Sequence, residues 1–122
     1  VCIVACRVMV YHALLAAEKL AKEGISARVI NNHTIKPIDI KTLVAAAKKT
    51  RAIVTAEEHQ VNTGLGSVVA EVLSKNFPVP IEMVGIQDTF GESGEPEELL
   101  EKYKCTSLDI IKAVKKVMGR KK

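Results

Sequence analysis

Glu57, Glu58, His59 and Gln60 run consecutively in the 122-residue chain, with Gly64 and Gly66 just beyond, and bring two carboxylates and an imidazole to one strand-to-helix corner. A carboxylate and an imidazole facing one substrate atom can act as general acid and base. Neighbouring residues on an extended chain point apart, however, and the spacing holds no nucleophile beside them. His33 and His59 with Glu57, Glu58 or Asp88 are metal-ligating types, but neither His-x-x-x-His nor Cys-x-x-Cys occurs. The reading is therefore no catalytic residue and no metal site in this chain.

Gly64-Leu65-Gly66 opens an apolar, helix-patterned run, and a helix N-terminus can hold a phosphate. The motif lacks the third glycine of the dinucleotide fingerprint and the Lys-Ser/Thr of a P-loop. The competing reading is that the glycines let the turn cross tightly over the preceding strand. A second glycine-bearing stretch, Phe90, Gly91, Glu92, Ser93 and Gly94, is a candidate interface loop, because an apolar ring leading an exposed turn gains from burial against a partner. Phe90 can equally tuck into the chain's own core. Cys2 and Cys6 sit on one face of a strand about 13 Å apart, too far for a disulfide. With Cys105 they make an odd count that fits a reducing cytoplasm. His12 reads as a surface or cap histidine.

The elements that must position these residues follow from periodicity. Residues 1–5 are continuously apolar, as in a strand buried on both faces. Ala13, Leu14, Ala17, Leu20 and Ala21 then repeat at helical spacing until Gly24. Further strands are expected at 27–31, 52–55 and 81–86. Helices are expected after Pro37 and Asp39, with Leu43, Val44 and Ala47 inward, and over 66–75. A short helix from Pro96 through Tyr103 is expected to stop near Lys104. Thr106 and Asp109 then resemble a capping box for a final helix striped by Ile110, Ile111, Val114, Val117 and Met118. Alternating strands and helices predict an α/β fold: a three-layer, doubly wound, mainly parallel four-stranded sheet with helices on both faces. Alternation does not fix the strand order, for which 2-1-3-4 is a guess.

Such sheets bind ligands beyond the C-terminal strand ends. Arg7, His33, Glu58 and His59 fall on that rim and form a candidate site for an anion or small effector. Composition excludes other classes. The formal charge is +4, yet Lys112, Lys115, Lys116, Arg120, Lys121 and Lys122 crowd the last eleven residues and leave the remainder net negative. That is a basic helix end rather than a nucleic-acid surface, and aromatic residues, at 3%, provide no stacking platform. No apolar stretch reaches membrane-spanning length. The chain begins at Val1 inside an apolar run, which reads as a single domain, residues 1–122, cut from a longer chain.

Four stretches in order carry a resemblance: His33-Thr34-Ile35-Lys36-Pro37-Ile38-Asp39; Thr55-Ala56-Glu57-Glu58-His59; Gly64-Leu65-Gly66-Ser67; and Asp88-Thr89-Phe90-Gly91-Glu92-Ser93-Gly94. Together they resemble the C-terminal domain of transketolase, most closely the C-terminal subunit of split microbial forms. The resemblance implies a cytoplasmic, homodimeric transferase of the pentose phosphate pathway. It would move two-carbon ketol units between sugar phosphates. Thiamin diphosphate and a divalent metal (Mg or Ca) would be bound by other domains, and none by this fragment. It implies partners in the remaining domains or an N-terminal subunit and in a second copy, with no nucleic acid and no membrane. The fragment would support the dimer and be inactive alone. A related alternative is an effector-binding module of deoxyxylulose-phosphate synthase or of the β part of 2-oxo-acid dehydrogenases. Arg7, Thr63 and Lys104 stand where the family often has glycine, and Lys104 is expected at a left-handed helix end.

Overall fold

Each strand of the chain is followed by a helix: β1 (Cys2–Ala5), α1 (Met9–Lys22), β2 (Arg28–Asn31), α2 (Ile40–Thr50), β3 (Ile53–Glu58), α3 (Leu65–Asn76), β4 (Ile81–Ile86) and α4 (Pro96–Gly119). The computed structural model describes residues 1–6, 9–31, 39–58, 64–86 and 96–120, with the backbone alone for Glu58, Ile86 and residues 96–105. All strand pairs are parallel, as the alternation predicts, and the order is β2-β1-β3-β4, which alternation by itself does not fix.

β1 lies second in the sheet and is buried on both faces, which is why its residues are apolar without alternation. Ile3 and Ala5 join Val54 and Ala56 beneath α1 and α4, in a core with Met9, Ala13, Ala16, Leu20, Ile110, Val114 and Val117. Cys2, Val4 and Cys6 point the other way, to Leu43, Ala46 and Ala47 of α2 and Leu65, Val69 and Leu73 of α3. Asp39 caps α2: its carboxylate accepts the Thr42 backbone N–H at 3.1 Å and the Thr42 hydroxyl at 2.7 Å. The Thr42 hydroxyl, then its amide, hold the Asp39 carboxyl below the ordinary carboxylate range.

Four expectations need correction. First, β3 does not stop at Thr55. It continues to Glu58, because Glu57 and Glu58 extend the ladder opposite Gly85 and Ile86 of β4. Second, the last two expected helices are one. α4 begins at Pro96, as expected, but runs unbroken to Gly119, so Lys104 lies in its interior and Thr106 caps nothing. Neither glycine nor proline interrupts residues 97–118. Thr106 and Ser107 are buried, and the Ser107 hydroxyl accepts from Lys19 of α1 at 3.4 Å. Helix-to-helix packing thus overrides a local capping signal. Third, His12 is fully buried rather than on the surface, with its ring edge-on to Tyr11 at 5.9 Å. Fourth, the inward stripe of α1 is Met9, His12, Ala13, Ala16 and Leu20, which turns Leu14 and Ala21 outward. Met118 is likewise an exposed member of its stripe.

Core position separates two residues of the predicted α4 stripe. Ile110→Ala is expected to cost about 3 kcal/mol in urea unfolding, through lost burial and a residual cavity. Met118→Ala is expected to cost less than about 0.5 kcal/mol.

Candidate functional site

The chain leaves β1 toward β2 on one side and returns to β3 on the other. The strand order therefore reverses between the C-terminal ends of β1 and β3, the crevice where open α/β sheets receive ligands. Cys6 flanks this switch point from β1, and Glu57 and Glu58 end β3. Asn31, at the end of β2, is exposed.

The β3-to-α3 corner is built from residue types that leave few alternatives. Gly64 has φ +71°, a left-handed backbone that side chains disfavour, and it starts α3 without a side-chain cap. The missing cap comes from the strand: the Glu57 carboxylate accepts the Gly66 backbone N–H through Oε2 at 2.9 Å. A carboxylate at a helix N-terminus is favoured by the helix dipole as well as by the hydrogen bond. Gly66 itself lies against the sheet, where an added Cβ would stand 2.8 Å from Met83 Sδ and 3.1 Å from Thr55 Oγ1. The tight-crossing reading of the two glycines is the one this geometry supports. Glu57 already engages the amide that a phosphate would need.

Beneath the corner, Thr55 is fully buried and its Oγ1 has no hydrogen-bond partner among the described residues. Cys2 and Cys6 share one face of β1, as their spacing predicts, and both are buried thiols. Burial pushes the Cys2 thiol up from 9.0 to about 11, with Arg28 partly opposing the shift. A thiol raised in this way is a poorer nucleophile at neutral pH, because the thiolate is the reactive form. Among the described residues, no three of His, Cys, Asp and Glu stand close enough to hold a metal ion.

Of the candidate rim, Glu58 is placed at the end of β3 by its backbone. Arg7, His33 and His59 lie outside the described residues, as does the candidate interface loop of Phe90, Gly91, Glu92, Ser93 and Gly94. The role of Glu57 as the cap of α3 was not legible from sequence, although the nine-residue step to Gly66 across a strand-to-helix turn is a usable signal.

With this geometry in view, comparison with known proteins defines the class. The chain belongs to the transketolase C-terminal domain family, whose model matches residues 1–110. It is 49% identical over 121 residues to the 6-deoxy-6-sulfo-D-fructose transketolase subunit SqwH of Clostridium sp. (strain MSTE9), covering 99% of this chain and 38% of that subunit. It is 42% identical over 106 residues to 1-deoxy-D-xylulose-5-phosphate synthase of Desulfotalea psychrophila, covering 85% of this chain and 16% of that enzyme. A solved structure described as split gene transketolase, inactive beta4 tetramer, superposes with a TM-score of 0.81 at 50% identity, over 99% of this chain and 39% of that one. The chain thus spans under two fifths of the length of these relatives.

Transketolases use thiamin diphosphate and a divalent metal. The described residues do not fit that group. The one glycine-rich helix entry among them presents the Glu57 carboxylate, which would repel a diphosphate, and no metal-ligand cluster accompanies it.

Two outcomes follow. Glu57→Ala should lower stability by about 1 kcal/mol in urea unfolding, as loss of a helix cap does, whereas Glu57→Gln, which keeps the acceptor oxygen, should retain most of it. The Cys2 thiol keeps its proton longer in the folded state than in the unfolded chain. Its contribution is therefore complete below about pH 9 and disappears as pH rises through about 11. That loss amounts to about 3 kcal/mol. Cys2→Ala should flatten the unfolding free energy against pH over this window, and an unchanged slope would contradict the assignment.

Proposed function

We propose that this chain is the C-terminal, assembly-supporting part of a thiamin-diphosphate-dependent transketolase and supplies no catalytic residue of its own. The observation that carries the reading is a match over 99% of this chain, at 49% identity, to a part (38%) of a transketolase subunit. The site chemistry supports it, since Glu57 is engaged by the α3 amide and the Cys2 thiol is held protonated. The solved relative described as an inactive β4 tetramer supports it too, as a case in which such a subunit assembles without turnover.

On this reading the cofactor and its Mg or Ca ion are held by the remaining domains or an N-terminal subunit, and a second copy completes a dimer. The proposed chemistry is transfer of a two-carbon ketol unit between sugar phosphates. The pentose phosphate pathway is one setting for it, and the sulfo-sugar in a relative's name is another. Among the described residues no helix is long and apolar enough to cross a membrane, and a cytoplasmic location is part of the proposal. Tyr11 and Leu14, one turn apart on α1 and more than half exposed, provide an apolar outer strip of the kind that assembly covers. Arg7, His33, Glu58 and His59 stay proposed as the effector rim, and Phe90 through Gly94 as an interface loop.

The test is reconstitution. Ketol transfer by the cofactor-binding remainder of the enzyme is measured with and without this chain, alongside sedimentation of each mixture. Turnover and dimer should appear or rise severalfold only with the chain present. A remainder that is fully active and dimeric alone would remove the assembly role and leave the effector-rim reading, for which the synthase-type relative is the precedent to follow.

A further inference from the structure

The pole of the domain opposite the strand-end rim carries a pocket of about 760 Å³. Arg51 precedes β3, Pro80 precedes β4 and Gly119–Arg120 follow α4, so the pocket opens at the N-terminal edge of the sheet. Its remaining wall is the run 77–80, Phe-Pro-Val-Pro. Ligands in open α/β sheets ordinarily take the other edge, so this pocket is not a by-product of the fold's usual site.

Basic residues collect here, and most have a structural task. α2, α3 and α4 all end at this pole, and Lys48, Lys49, Lys75 and Lys116 lie in their last turns, where cations complement the helix dipole. Lys75 also pairs with Glu71 at 3.2 Å, Lys116 pairs with Glu82 at 3.4 Å, and Lys48 stands over the Phe77 ring at 6.0 Å. Arg120 donates through Nη1 to the Ile81 carbonyl at 3.1 Å and to the Glu82 carboxylate. Its Nε and Nη2 make no hydrogen bond among the described residues. Burial raises Glu82, but the hydrogen bonds from Arg120 and Lys116 outweigh it and hold the carboxyl below its ordinary value. Glu82, beside the pocket's Arg120, is therefore ionised and already paired.

Arg51 differs from all of these. Its side chain makes no hydrogen bond or ion pair among the described residues, although it lines the pocket. Its backbone is left-handed, φ 60° and ψ 15°, at the end of α2, with its N–H bonded to the Ala47 carbonyl at 2.8 Å. Glycine is the residue that this conformation favours. An arginine there costs stability through its left-handed backbone, and beyond its charge at the α2 C-terminus its guanidinium gains no hydrogen bond or ion pair among the described residues.

The apolar wall narrows what the arginines could meet. Pro78 and Pro80 have no N–H and fix their own φ, so the run cannot accept an added β-strand and forms a stiff, ready-made surface. A concave site of a few hundred Å³, mostly apolar with a few placed polar groups, is the form that small-molecule sites take. A guanidinium fork matches carboxylate and phosphate oxygens. We propose that this pocket binds a small organic anion, with its phosphate or carboxylate head on Arg51 and the spare donors of Arg120 and its apolar body against Phe77, Pro78, Val79 and Pro80.

The site is independent of the transketolase reading, and its test reads binding rather than turnover. Phenyl phosphate, benzoate and inorganic phosphate are titrated into the full chain while backbone amide signals are followed by NMR. Phenyl phosphate and benzoate should shift the signals of Arg51, Phe77, Val79 and Arg120 with midpoints near or below about 1 mM, and inorganic phosphate should bind about tenfold more weakly for want of an apolar body. The tighter of the two organic probes identifies the head group. Arg51→Gly keeps the experiment decisive because it relieves the left-handed backbone: Tm should hold or rise by about 3 °C while the organic anions lose about tenfold in affinity. The proposal is overturned by shifts absent up to about 10 mM, by shifts located elsewhere, by unchanged affinity in Arg51→Gly, or by a fall in its Tm, which would make Arg51 structural.

Discussion

A parallel strand that no face of the sheet exposes to water is the constraint from which this domain follows. Cys2, Ile3, Val4 and Ala5 are buried to within 1% of completely, and parallel neighbours can be reached only through crossover helices. Those helices must then cover both faces: α1 and α4 over Ile3 and Ala5, α2 and α3 over Cys2 and Val4. Alanine-rich inner stripes on α1 and α2 let the layers approach closely, and the near absence of aromatic residues leaves branched aliphatics to fill the rest.

The corner between β3 and α3 shows how the same constraint shapes chemistry. A helix that must pack at once on the strand just completed needs a residue without a side chain at 66, a left-handed glycine at 64 and an acceptor for its first amides. Glu57 is that acceptor, held in place by the extension of the β3 ladder past Thr55. The result is a strand-end edge with a carboxylate engaged in structure, in a family whose curated relatives extend well beyond the part this chain matches. At the other edge the relation is reversed. Three helix ends gather cations for their own dipoles, and Arg51 and Arg120 keep donors that the fold does not consume.

What the sequence by itself determined was whatever depends on neighbours along the chain. The continuous apolar run at 1–5, the helical spacing of Leu43 and Ala47, Asp39 as a cap, Pro96 as a first helical residue and the alternation of strands with helices are all local or nearly so. The ordered motifs were enough for the family. Tertiary structure alone decided the rest. Thr106 carries the letters of a helix cap, yet its helix continues because Ser107 meets Lys19, 88 residues away, where α1 and α4 pack. His12 is buried because the rotation of α1 is set by the sheet beneath it, not by the polarity of one residue. Glu57 reads as a candidate acid or metal ligand until β4 extends the ladder and the structure shows it capping α3. The pocket at Arg51 exists only because the ends of α2, α3 and α4 meet there, with Arg120 reaching back to Ile81 across 39 positions. In each case the deciding contact joins residues distant in sequence, which the local preferences of a few tenths of a kcal/mol per residue do not register.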